Sequence, residues 1–111
     1  MHNSIKTLLT LLVLFSLGST SADSGATLEK CAALSSMAGK IMTSRQNGST
    51  MASVYTLNSQ PENNENVDLL NKLAREVFTN YGIVKTTDRK RIILEYQNRK
   101  FLKCYDSIQH D

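Results

Sequence analysis

From Thr27 onward, apolar residues return every three or four positions: Leu28, Cys31, Ala32, Leu34, Ala38, Ile41 and Met42. That spacing puts them on one side of an α-helix. Thr27 can cap its start, with Glu29 and Lys30 in the first turn, and Gly48 after Arg45-Gln46-Asn47 marks its end. Ser49 or Thr50 then opens a short helix carrying Met51, Val54, Tyr55 and Leu57. Residues 58–66 are polar, contain Pro61 and predict an exposed linker. A cleaner stripe follows, with Val67, Leu70, Leu73, Ala74, Val77, Phe78 and Tyr81 behind a capping Asn66, and Gly82 as the predicted stop. Ile83-Val84-Lys85 is too short to define a strand. Thr86 or Thr87 begins the last helix, with Asp88 near its positive end. Its apolar face takes Ile92 or Ile93, Leu94, Tyr96, Phe101, Cys104, Tyr105 and Ile108. Every long periodic segment has helical period. The class is therefore all-α, a small bundle of about four helices: two long, one medium and one short.

The segment before Thr27 changes which residues count. Lys6 precedes an apolar stretch over residues 8–17, broken only by Thr10 and Ser16, and Ser19-Thr20-Ser21-Ala22 supplies small residues. This is the pattern of a signal peptide cleaved near Ala22, and the stretch is short of the roughly 20 residues that span a bilayer. The expectation is residues 1–22 as signal peptide and 23–111 as a single helical domain in the periplasm or secreted. In an oxidising compartment the two cysteines, Cys31 and Cys104, are expected to pair. The bridge would tie the first helix of the mature domain to the last.

Such a bridge also sets a register. With the first and last helices antiparallel, Arg45 comes within axial reach of Glu95 or of Asp88, and spacing does not choose between them.

The sequence offers little catalytic chemistry. His2 lies in the leader and His110 at the chain end, which leaves no partner for a Cys–His pair, and Ser35-Ser36 has none either. No catalytic residue, metal ligand set or cofactor is expected: there is no Cys-x-x-Cys or His-x-x-x-His, and Glu62, Glu65 and Asp68 lack calcium-loop spacing. Asn47-Gly48-Ser49 matches a glycosylation triplet, a pattern frequent by chance. Met37, Met42 and Met51 could form an adaptable binding surface, but their spacing fits core better.

The 13 basic and 10 acidic residues give a net charge of +3, and loss of Lys6 with the leader lowers it by one. That balance gives no reason to expect a nucleic-acid partner. Basic residues gather late: Arg89, Lys90, Arg91, Arg99, Lys100 and Lys103. They form either a cationic face for an anionic membrane surface or an ordinary solvated helix face, and the second fits better.

Cys31-Ala32, Ile41-Met42, Arg45-Gln46, Gly48 and Met51, with Glu95, Asn98, Phe101-Leu102 and Cys104-Tyr105, resemble small exported two-cysteine helical proteins of proteobacteria and their prophages, a group with no assigned activity. The resemblance implies the same disulfide-bonded periplasmic domain and transfers no catalytic residue. It gives weight to Arg45, Gln46, Gly48, Glu95 and Asn98 as a structural polar set framing the turn between the first two helices. The resulting expectation is a non-enzymatic interaction protein, such as an inhibitor or immunity protein, with another periplasmic protein as partner. The alternative is an envelope or phage-related factor acting at anionic membranes through the basic last helix.

Overall fold

The computed structural model of the 111-residue chain describes residue 25 and residues 27–109. The expected signal peptide over 1–22, its cleavage site, His2 and His110 lie outside the described residues. The described residues fall into two units divided between Lys30 and Cys31. Of the first, Gly25 and residues 27–30 are described and are helical, so Thr27 lies within a helix rather than capping one.

Among the described residues there are four α-helices, two short 3-10 turns and no strand. Helix α1 covers 27–46, α2 Met51–Asn58, α3 Val67–Asn80 and α4 Arg89–Gln109. The all-α expectation holds, including two long helices, one medium and one short. Cys31 and Cys104 form a disulfide between α1 and α4, with Cα atoms 5.6 Å apart. The Gln97 amide donates to the Ser35 carbonyl at 3.2 Å, so α1 and α4 run antiparallel. Gly39, buried on α1, lies directly under the Gln97 side chain, and a larger residue would push that amide away from α4's contact with α1.

The ends of the elements follow local chemistry. Gly48 has φ +86°, a conformation costly to any residue with a Cβ, and it closes α1 as expected. Thr50 caps α2, its hydroxyl accepting from the Ser53 amide at 3.1 Å. Gly82 does not stop α3. That helix ends at Asn80, and Tyr81 leaves it in an extended conformation. Asn58, expected in the polar linker, is instead the last residue of α2, buried, with its amide donating to Asn71 Oδ1 at 3.0 Å. Pairing by a second amide is what lets this polar side chain stay inside. The linker itself contains a 3-10 turn over Pro61–Asn63.

Ala38, Ile41 and Met42 of α1 meet Leu70, Leu73, Ala74 and Val77 of α3, with Val54 from α2 and Tyr96 from α4. Met42 is fully buried and Met37 packs against the core, as the spacing indicated. Leu94 and Ile108, expected on the apolar face of α4, point to solvent at 48% and 38% exposure. The core side of α4 is centred on Tyr96, and Leu94, two positions away, lies roughly 200° around the helix from it.

Candidate functional site

The polar set assembled from sequence separates into two groups. Arg45 and Gln46 come together, not at the α1–α2 turn but against the 81–84 connection between α3 and α4. Arg45 Nε donates to the Tyr81 carbonyl at 2.8 Å, and its guanidinium lies 5.1 Å from the centre of the Phe78 ring. Gln46 is 1% exposed and works in both directions: Nε2 donates to the Gly82 carbonyl at 2.9 Å, and Oε1 accepts from the Val84 amide at 2.8 Å. The clamp fixes the link that launches α4. Gly48 ends the helix that carries both residues.

Glu95 and Asn98 are elsewhere, exposed on the outer face of α4. Neither proposed partner of Arg45 pairs with it. Asp88 and Glu95 both face Arg91, at 3.7 and 3.1 Å, on the surface. Helical phase is the reason, since Glu95 is turned about 100° from the buried Tyr96 beside it. Arg45 satisfies its charge with a carbonyl and an aromatic face instead.

A second polar cluster, absent from the expected polar set, joins α3 to α4. Tyr96, 1% exposed, donates its hydroxyl to Glu76 Oε1 at 2.6 Å, and Lys100 Nζ meets the same oxygen at 2.6 Å. Tyr81 packs edge-on against Tyr96 with ring centres 5.4 Å apart, and Arg99 reaches the Tyr81 hydroxyl. Burial alone would raise the Glu76 pKa, but the bonds from Lys100 and Tyr96 outweigh it and hold the carboxyl below its ordinary value. Burial first, and then the bond to Glu76, push the Tyr96 hydroxyl well above its ordinary range, so it stays a donor.

Because the folded Glu76 pKa is depressed, its contribution to stability is present above the ordinary value of 4.5 and is lost as pH falls through the folded value. Glu76→Gln should therefore melt below wild type at neutral pH, with the gap closing below pH 4.5. Thermal melts across that range check it, and a gap independent of pH would contradict the assignment.

The six late basic residues do not form one face. At 3.6 residues per turn their positions point to every side of α4. Arg91 is committed to Asp88 and Glu95, Lys100 to Glu76 and Arg99 to Tyr81. Arg89 Nε is buried without a hydrogen-bond partner, while Lys90 and Lys103 are exposed.

What the outer face of α4 does present is a stripe of Leu94, Asn98 and Leu102, the leucines 48% and 55% exposed. Phe101 and Tyr105 stack beside it with ring centres 6.0 Å apart. Four-residue spacing aligns the stripe along the helix. Among the described residues, no group of three or more His, Cys, Asp or Glu side chains converges as metal ligands would. No protein-family model, curated protein or solved structure matches the chain.

Proposed function

We propose that the chain is a non-enzymatic binding protein of the periplasm or cell exterior, docking another envelope protein through the outer face of α4. The Cys31–Cys104 disulfide is compatible with an oxidising compartment. Among the described residues no helix is long and apolar enough to cross a membrane. An inhibitor or immunity protein is the most concrete version of this reading.

The observation that carries it is the Leu94–Asn98–Leu102 stripe. Leucines exposed at the middle of a rigid helix, with aromatic rings alongside, supply the apolar centre that protein interfaces use. Arg91 and Glu95, which flank the stripe, neutralise one another, so the fitting partner surface is apolar rather than charged, with a hydrogen-bonding group opposite Asn98. A membrane surface met by a basic helix fits the geometry less well, because the charges of α4 are dispersed around it and several are already paired.

Leu94→Glu with Leu102→Glu is expected to abolish recovery of a stoichiometric partner from envelope extract while leaving the melt within about 0.5 kcal/mol of wild type, as surface changes do. Equal recovery by the variant and the wild type would sink the proposal.

A further inference from the structure

Facing away from the α4 stripe, between α3 and the second half of α4, lies a partly open groove of about 270 Å³. Leu34 of α1 and Leu69 and Leu73 of α3 give it an apolar lining, and Lys72, Lys100 and Lys103 a basic one, with Leu69 itself exposed and Lys100 mostly buried. The one carboxylate in the lining, Glu76, is already bound by Lys100 and by the Tyr96 hydroxyl. Lys72 and Lys103 are exposed, and among the described residues neither is in an ion pair. The groove therefore combines an apolar lining with two exposed lysines outside any ion pair, of which Lys103 also acts at longer range on Glu76.

We infer that this groove binds a single-chain anionic amphiphile, with its carboxylate or phosphate head between Lys72 and Lys103 and its tail along Leu34, Leu69 and Leu73. The lysine stems extend the apolar wall while their charged ends stay in water, where an anionic head would meet them. Charge complementarity excludes a cationic head. Size selects one acyl tail, since a volume of about 270 Å³ falls just below the roughly 300–1,000 Å³ range of ligand sites. The Glu76–Lys100 pair adds little net charge to the site and ties α3 to α4. This site is separate from the outer face of α4, and its occupancy does not depend on the protein-docking proposal.

Calorimetric titration of the oxidised protein with dodecanoate and dodecyl phosphate, each below its micelle concentration, tests the inference alongside amide chemical-shift mapping. Saturable binding is expected, with shifts concentrated at Leu34, Leu69, Leu73 and Lys103. Lys72→Gln with Lys103→Gln should weaken it about tenfold, the effect of losing two exposed charge contacts, with the melt unchanged. Tighter binding of dodecanoate would identify a fatty-acid head, and tighter binding of dodecyl phosphate a phosphate-headed lipid; both support the shared chemistry. Failure of both amphiphiles to bind, dodecyl maltoside binding equally well, inorganic phosphate binding as tightly, or an unchanged affinity in the double variant would each overturn it.

Discussion

Cys104→Ser is expected to lower stability by about 4 kcal/mol and the melting temperature by roughly 15–30 °C. The bridge spans 73 residues of sequence, so it restricts the unfolded chain over most of the domain. Chain-entropy reasoning gives that magnitude for a loop this long. The effect is large against the roughly 5–15 kcal/mol that holds a domain of this kind together. The core is small: among the described residues nine form the buried cluster, and α4 contributes Tyr96 to it. Without the bridge, α4 is held on its inner side by Tyr96, by Ile92 and Ile93 packed against the core, by the Gln97–Ser35 bond and by the Lys100–Glu76 pair. Cys31 is fully buried, so the unpaired thiol would also remain inside rather than gain hydration. Thermal melts of the variant, and of wild type under reductant, should agree. A loss below about 1 kcal/mol in both would show that the packing of α4 does not need the bridge.

Gln46→Ala is expected to cost about 2–4 kcal/mol by chemical denaturation, the largest effect of any polar side chain here. The side chain has no route to water, and its amide satisfies one carbonyl and one amide of the α3–α4 link. Truncation leaves a void and removes both partners. Gln46→Glu separates hydrogen bonding from packing, because its volume is nearly unchanged. An ionised carboxylate still accepts from the Val84 amide but faces the Gly82 carbonyl with a second acceptor where a donor is required. That variant should therefore be destabilised at neutral pH and recover part of the loss in acid, once its carboxyl is protonated and can donate. If Gln46→Glu matched wild type at neutral pH, the two-way clamp would be wrong.

Periodicity made the helices and their lengths legible, because both depend on spacing along the chain, while the disulfide followed from two cysteines in an expected oxidising compartment. Val67 to Tyr81 shows one apolar return per turn, and α3 buries Leu70, Leu73, Ala74 and Val77 on that face. The role of Gln46 was not legible in the same way. Its partners are backbone groups some 36 to 38 positions away, and backbone groups leave no mark in a side-chain pattern. Arg45 finds neither expected acid for a related reason: axial reach ignores helical phase, and phase turns Glu95 to solvent while its neighbour Tyr96 turns inward. Asn58 has polar neighbours in sequence, as a linker would, yet the Asn71 side-chain oxygen accepts from its amide and allows it to be buried. Glu76 sits between Ala74 and Val77, at the border of the apolar stripe. A carboxylate at that border facing a helix with a lysine and a tyrosine four residues apart is the signal from which the Tyr96–Glu76–Lys100 cluster could have been found.

The two sides of α4 thus divide the work. Tyr96, Lys100 and Cys104 bind the helix to its own fold, while Leu94, Asn98 and Leu102 remain without a partner in the described chain. Site-directed photo-crosslinking in living cells tests that division most directly, with the photoreactive side chain placed at Leu94, at Leu102 and, as a control on the outer side of α3, at exposed Arg75. A discrete protein adduct from the two α4 positions and none from position 75 is the predicted result. The same adducts from all three positions, or no protein adduct from Leu94 and Leu102, would contradict the assignment of this face to a protein partner.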